Sequence, residues 1–96
     1  MRRAAKIDEN QPEIVKAWRS VGASVQILSA VGQGCVDTLV GFKGVNYCIE
    51  IKDGEKPPSA QKLTDDQVKW HNEWQGQKCV VNSVKQALEA IGIKTC

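Results

Sequence analysis

Apolar residues near the start of the chain recur with the period of a helix. Ile14, Trp18 and Val21 follow one another at intervals of four and three residues, so they form one stripe on a helical surface. Gly22 comes directly after the last of them and is typical of a helix end. The pattern predicts a first helix over residues 10–21 that packs through this stripe.

Short apolar runs replace the helical period after this point. Residues 23–28, 36–40 and 47–52 contain β-branched residues and are bounded by glycine or polar positions, which predicts three strands. Residues 41–44 carry glycine at both ends and predict a turn. The second and third strands are therefore expected to form an antiparallel hairpin.

The chain changes character after the third strand. Residues 53–59 hold two prolines, a glycine and three charged side chains, so they predict a loop. Thr64, with Gln67 three residues later, has the pattern of a capping box and predicts a second helix that starts at Thr64. Gly76 is its expected end.

The last part of the chain predicts one more strand and one more helix. Residues 79–81 form a short apolar run, and Ser83 with Gln86 opens a helix that ends before Gly92. The predicted order is α, β, β, β, α, β, α, with no internal repeat and no linker that divides the chain.

Composition narrows the class of protein. With 96 residues, of which 42% are hydrophobic, the chain is long enough for one core and too short for two, so residues 1–96 are expected to be a single domain. The formal charge of +2 neither requires nor excludes a polyanionic partner. Four separated cysteines and one histidine argue against a zinc site and favour reduced thiols. No run is apolar enough for a signal peptide or a membrane span, so we expect a cytoplasmic protein without a membrane partner.

Three residues that carry chemistry meet on the predicted hairpin. Side chains alternate along a strand, so Glu50 and Lys52 share one face, and Ile49 and Ile51 point from the other face into the core. Asp37 on the paired strand can join the first two. Two carboxylates beside an ammonium suit a divalent metal that acts on a phosphate. The alternative is an ion pair on the solvent-exposed face of the sheet, without a function.

The order of elements and the placement of certain residues resemble a known family. The residues that carry the resemblance are Asp37 on the second strand, Glu50-x-Lys52 on the third and Gln67-x-x-Trp70 on the following helix. Over roughly residues 10–91 the chain resembles the PD-(D/E)XK nuclease superfamily, and within it the small stand-alone VRR-NUC domains related to Holliday-junction resolvases. One departure is Val36, since the superfamily often has proline before the aspartate.

The resemblance implies both a fold and a metal-dependent site. The fold is α/β of restriction-endonuclease type, with an αβββαβ core, a mixed four-stranded sheet flanked by helices, and a C-terminal helix. Asp37, Glu50 and the backbone carbonyl of Ile51 would be ligands of Mg²⁺, with Mn²⁺ as a substitute. Lys52 would orient or help to deprotonate the attacking water, or stabilise the charged phosphate.

Two further residues match polar positions of the family. Glu13 matches an acidic residue of the first helix that binds a second ion or a metal-associated water. Gln67 matches a polar residue with an orienting or phosphate-contacting role. Both also stand at the third position of a capping-box pattern, after Asn10 and Thr64, so helix capping is the alternative for each.

Aromatic and thiol side chains are not assigned a role in the chemistry. Trp18, Trp70 and Trp74 fall at apolar helical spacing and are expected in the core or in a dimer contact rather than as base-stacking platforms. His71 is expected at the surface. Cys48 shares the face of the predicted site, but no neighbouring residue would activate it.

Basic residues bracket the predicted site along the chain. Arg2, Arg3 and Lys6 precede the first helix, and Lys56 and Lys62 belong to the segment after the third strand, so all five are candidates for contacts to DNA phosphates. A solvated terminus and a solvated loop are the alternative. The sequence contains no helix-turn-helix pattern, which favours recognition of nucleic-acid shape over base sequence.

The function expected from the sequence is that of a metal-dependent DNA endonuclease selective for four-way junctions or other branched DNA. A two-fold symmetric substrate suits a homodimer, and the small resolvase-like relatives are often dimers. The expected location is the cytoplasm of a bacterial cell, with a phage as a candidate source of the gene. The alternatives are a non-catalytic nucleic-acid-binding protein that retains the nuclease fold, and a nuclease of linear or single-stranded DNA.

Overall fold

A computed structural model of the protein describes residues 8–94, so the predicted DNA contacts Arg2, Arg3 and Lys6 lie outside the described residues. The elements along the chain are α1 (Gln11–Ser20), β1 (Ser24–Ile27), β2 (Thr38–Phe42), β3 (Val45–Ile51), a 3-10 turn (Pro58–Gln61), α2 (Asp65–Glu73), β4 (Lys78–Val81) and α3 (Val84–Ala90). The predicted order of helices and strands is confirmed. The 3-10 turn inside the segment after β3 was not expected.

The four strands form one mixed sheet in the order β1-β2-β3-β4. The first two pairs are antiparallel, and β3 pairs with β4 in parallel. A parallel neighbour requires the chain to cross over from one end of the sheet to the other, and α2 lies in that crossover. The mixed four-stranded α/β architecture expected from the sequence is confirmed.

The hairpin between β2 and β3 is tighter than predicted. Strand β2 continues to Phe42, β3 begins at Val45, and these two residues pair directly. Only Lys43 and Gly44 form the turn, with φ of 51° and 82°. Two consecutive positive φ values match the twist of paired strands, which favours a two-residue turn. The four-residue turn predicted here is therefore wrong.

The core lies between the sheet and the pair of helices α1 and α3. Trp18 is fully buried, and its indole Nε1 donates a hydrogen bond to the carbonyl oxygen of Ala87 at 2.8 Å, which joins the two helices. Ile14 is equally buried, so the predicted apolar stripe of α1 is confirmed at these two positions. Val21 lies beyond the end of the helix and is exposed.

The start of α1 differs from the predicted capping box. The side chain of Asn10 forms no cap on the helix. Instead its Nδ2 donates to the carbonyl oxygens of Lys52 at 3.0 Å and Asn82 at 3.4 Å. The amide therefore connects the beginning of α1 to the chain just after β3 and β4, and this use of Asn10 replaces the capping that its position suggested.

The start of α2 is the one that the sequence predicted. Thr64 Oγ1 accepts from the backbone N–H of Gln67 at 3.2 Å, and the Gln67 side-chain oxygen accepts from Thr64 N–H at 2.9 Å, which completes a capping box. The helix ends at Glu73, earlier than the expected Gly76. Among residues 8–94, no helix has the length and apolar character needed to cross a membrane.

Candidate active site

The register of the hairpin places Asp37 and Glu50 side by side. Thr38, the first residue of β2, pairs with Ile49, so the next step of the register brings Asp37 opposite Glu50. Asp37 precedes β2 rather than lying within it, and its Oδ2 accepts from the backbone N–H of Ile51 at 2.8 Å. The two carboxylates predicted from the sequence therefore come together at the end of the hairpin.

A cavity of about 400 Å³ opens over these carboxylates. Its lining includes Asp37, Glu50, Ile51, Lys52 and Gln67. Lys52 follows β3 directly, and its backbone N–H still donates to the carbonyl of Val81 at 2.9 Å, which holds it in line with the parallel strand. The strand-end position predicted for Lys52 is thus one residue outside β3.

Gln67 joins the acid and the base of this cavity. Its Nε2 donates to Glu50 Oε2 at 3.1 Å, and its Oε1 accepts from Lys52 Nζ at 2.9 Å. Lys52 Nζ and Glu50 Oε2 are 4.0 Å apart, so the amide lies between two groups that also attract each other directly. The Gln67 side chain completes the capping box and also contacts both charged groups of the cavity, so capping does not exclude a role in the site.

Glu50 is buried between two core residues, and its pKa lies well above the ordinary value. It is 2% exposed, and its Oε1 receives no hydrogen bond from any residue in the range 8–94. Burial first, then proton sharing with Asp37 and the negative charge of that neighbour, raise the pKa of Glu50 to about 9, while Lys52 opposes the shift. Burial beside Asp37 therefore favours the protonated form of Glu50 in the absence of a further cation.

The donor set is suited to a hard divalent cation. Carboxylate oxygens are the ligands that Mg²⁺ prefers, and the unpaired Glu50 Oε1 beside Asp37 is an oxygen that lacks a positive partner. Within residues 8–94 no three acidic, histidine or cysteine side chains group together as a metal site. A cation here would therefore take these two carboxylates and complete its shell with main-chain or water oxygens, which fits the sparse protein ligation typical of Mg²⁺.

The structure does not bring Glu13 to this cavity. Glu13 is exposed on the first turn of α1 and lines a separate cavity with Asp53 and Glu55. The carboxylate that does line the candidate site from this end of the chain is Asp8, which sequence reasoning missed. Its negative charge is also one of the causes that raise the pKa of Glu50. The match to an acidic helix position of the family pointed to Glu13 and not to the acid that precedes the helix.

Two of the predicted DNA contacts lie at the cavity. Lys56 and Lys62 both line it, so the segment after β3 contributes positive charge at its rim. Lys56 Nζ lies 3.8 Å from Asp8 Oδ1, with both side chains partly exposed. Lys62 is exposed.

The remaining side chains singled out in the sequence have mixed outcomes. Trp18 belongs to the core, whereas Trp74 is 43% exposed and stacks on half-buried Trp70 with ring centres 4.9 Å apart. His71 is partly buried rather than at the surface, and its Nδ1 lies 2.9 Å from the carbonyl oxygen of Gln67.

Two thiols, those of Cys35 and Cys48, have raised pKa values. The pKa of Cys35 is raised by burial and then by the negative charges of Cys48, Glu50 and Asp37. Burial raises the pKa of Cys48 as well. Both shifts favour the unreactive thiol form, which agrees with the expectation that Cys48 is not activated.

Comparison with known proteins identifies the class. No protein-family model matches the sequence, and no curated protein matches it. A solved structure described as a VRR_NUC domain is similar to this chain with a TM-score of 0.62 and 26% identity, over 88% of this chain and 96% of that one. The mixed sheet and the similarity to that structure define a nuclease-type domain with a restriction-endonuclease-like fold. The resemblance to VRR-NUC domains predicted from the sequence is confirmed by this similarity.

Proposed function

We propose that the protein is a metal-dependent endonuclease that hydrolyses phosphodiester bonds in DNA. The observation that carries this proposal is the unpaired, buried Oε1 of Glu50 beside Asp37, in a cavity that also holds a lysine. Burying a carboxylate oxygen without a hydrogen-bond partner costs free energy, and a bound cation would offset that cost. The similarity to a VRR_NUC domain supports the same chemistry.

Asp37, Glu50 and the main-chain carbonyl of Ile51 would hold Mg²⁺ or Mn²⁺. Asp8 lines the same cavity, where its carboxylate lies 3.8 Å from Lys56 Nζ. When bound, the cation supplies positive charge to the phosphate and acidifies an adjacent water. The hairpin register and the hydrogen bond from Ile51 N–H to Asp37 would keep the two carboxylates in place around it.

Lys52 is the residue assigned to the attacking water and the phosphate. Its side chain is 11% exposed, and the hydrogen bond to Gln67 fixes its ammonium at the cavity wall. From there Nζ can donate to a water or to a phosphate oxygen, and either contact stabilises the charge that grows during hydrolysis. Gln67 keeps the ammonium from collapsing fully onto the Glu50 carboxylate, since its amide lies between them.

DNA would be held at the rim by the lysines of the segment after β3. Lys56 and Lys62 line the cavity, and their charges are available for phosphates that pass over the carboxylates. Such contacts carry no base information, which favours a substrate chosen by shape. Branched DNA, such as a four-way junction, is the substrate that we propose.

A homodimer would place two such sites on a symmetric junction. Large apolar side chains are exposed on the sheet and along or just after α2, among them Leu39, Val68, Trp74 and Val80. These residues are available for an interface between copies. Light scattering at micromolar concentration tests the dimer, and a monomer would remove the two-fold symmetry from the proposal.

The proposal is tested by incubating the protein with labelled four-way, flap, single-stranded and linear duplex DNA. Mg²⁺ or Mn²⁺ is present in one series and a chelator in the other. We expect cleavage of the branched substrates only in the metal series. Equal cleavage of linear or single-stranded DNA would contradict the selectivity. Binding without cleavage in either series would instead indicate a non-catalytic nucleic-acid-binding domain.

A further inference from the structure

Helix α2 brings Gln67 to the site, yet buried side chains do not hold this helix in place. None of its nine residues is buried. Gln67 must nevertheless keep its amide within hydrogen-bond distance of both Glu50 and Lys52. A contact other than side-chain burial must therefore position the first turn of α2.

The backbone at Gly34 makes such a contact. Gly34 lies in the loop between β1 and β2 and has a φ of +79°. A Cβ atom at this position would lie 2.1 Å from the carbonyl oxygen of Asp66 and 2.8 Å from the backbone nitrogen of Gln67. The glycine thus packs directly on the peptide group that connects these two residues, in the first turn of α2. Only a residue without a side chain allows this approach.

The loop that carries Gly34 is itself fixed at several points. The backbone N–H of Leu28 donates to the carbonyl of Asp37 at 2.7 Å, which closes the loop at its base. Within it, the N–H of Cys35 donates to the carbonyl of Gly32 at 3.1 Å. The loop therefore provides a defined surface for the helix, and the same loop ends at the ligand Asp37.

We infer that Gly34 is a positioning residue that seats α2 so that Gln67 reaches Glu50 and Lys52. This inference rests on the proposed function for its catalytic consequence. Real Cβ atoms stay about 3.0 Å or more from their neighbours, so a side chain at position 34 would force the loop and the helix apart by roughly 1 Å. A displacement of that size near reacting groups lowers catalytic rates by roughly 100-fold.

Gly32 provides a matched control in the same loop. Its φ is +81°, so replacing it with alanine introduces nearly the same backbone strain. A Cβ at Gly32, however, would meet no atom of the described structure within 4 Å. We expect Gly34→Ala to lower the single-turnover cleavage rate by roughly 10- to 100-fold relative to Gly32→Ala. Junction affinity should differ by less than about threefold, since the rim lysines are untouched.

A second measurement follows the Gln67 amide without any activity. In a ¹⁵N-labelled protein the side-chain amide of Gln67 gives a pair of resonances that Gln67→Ala identifies by removing them. We expect Gly34→Ala to move this pair toward the position of a solvated glutamine, and Gly32→Ala to leave it near the wild-type position. An unchanged amide in Gly34→Ala would overturn the inference. If the wild-type protein cleaves no DNA, the proposed function fails, and this comparison still decides the role of Gly34.

A double substitution tests whether Gly34 acts through Gln67. In the Gln67→Ala background, Gly34→Ala should reduce the cleavage rate by less than about threefold further, because the contact it disturbs is already lost. A full additional loss would show that Gly34 acts by another route. If Gly34→Ala does not fold, a second variant carries one glycine inserted after Gln33. This insertion loosens the contact between the loop and α2 without adding a side chain. A wild-type Gln67 amide in that variant would equally overturn the inference.

Discussion

Lys52 donates a hydrogen bond from Nζ to the side-chain oxygen of Gln67 at 2.9 Å, and that same oxygen caps the start of α2. One amide oxygen therefore takes part both in the capping box of α2 and in the contact that orients the lysine.

Lys52→Ala should abolish cleavage and retain binding. Removing the ammonium takes away the donor for the attacking water or the phosphate, and we expect the rate to fall by roughly 10²- to 10⁴-fold. Gel-shift titration with a four-way junction in a chelator should show affinity within about threefold of wild type. Lys16→Ala, at an exposed position of α1, is the matched control and should cleave normally. Full activity of Lys52→Ala would show that the site is misplaced.

Asp37→Asn and Glu50→Gln should each weaken binding of Mn²⁺ by more than about tenfold, because each removes one negative ligand. Isothermal titration calorimetry measures the affinity directly. Glu13→Gln is the control, since this glutamate is exposed in a separate cavity and should bind Mn²⁺ as wild type does. A large loss in Glu13→Gln would restore the role that its helix position suggested.

Stability of the metal-free protein should fall as the pH rises. The folded-state pKa of Glu50 is raised to about 9 from an ordinary value of 4.5, so the native state binds this proton more tightly than the unfolded state. The resulting stabilisation is complete below about pH 4.5 and is lost progressively as the pH approaches 9. Urea unfolding in a chelator at several pH values measures it. Glu50→Gln should remove this dependence, and an identical slope in that variant would contradict the assignment.

Trp18→Phe should reduce the free energy of unfolding by about 2–4 kcal/mol. The substitution leaves a cavity in the core and removes the donor to the Ala87 carbonyl, which is then buried without that hydrogen bond. Trp74→Phe changes an exposed ring and should stay within about 1 kcal/mol of wild type. Denaturant unfolding compares the two. Equal losses would show that the stacked pair on α2 contributes more than its exposure indicates.

Lys62→Ala should lower the salt dependence of junction binding. If Lys62 contacts one phosphate, the slope of log affinity against log salt decreases by about 1. Lys56→Ala should have a smaller effect, because Lys56 is already near Asp8. Affinities measured at several salt concentrations, with Lys16→Ala as reference, distinguish these cases. An unchanged slope for Lys62→Ala would remove it from the DNA interface.

Features set by local chemistry were predictable from the sequence. The period of Ile14 and Trp18 identified α1, and the Thr64 capping box identified the start of α2, because both depend on residues a few positions apart. The strand alternation around Glu50 also held, and it put the glutamate on the face of the site. Asp37 was correctly grouped with Glu50, since the hairpin joins neighbouring segments.

Features that depend on distant parts of the chain were not predictable. Asn10 looked like a helix cap, but its amide binds carbonyls more than 40 residues away. Asp8 lies two residues before Asn10, whose amide binds the Lys52 carbonyl just after β3, and no local pattern reveals this long-range contact. Lys43 has a positive φ, which the spacing of the glycines did not indicate, so the predicted turn was too long. The contact of Gly34 with α2 requires the crossover to be in place.

The absence of buried residues in α2 also has a consequence for heat inactivation. Helix α2 is held by its capping box, its polar contacts and its contact with Gly34. It should therefore unfold locally at a lower free energy than the core. On warming, Lys52 and the Gln67 amide should become disordered while the core around Trp18 is still folded. The proposed cleavage activity would disappear below the melting temperature and return on cooling, which would be a reversible thermal cutoff set by the helix without buried residues.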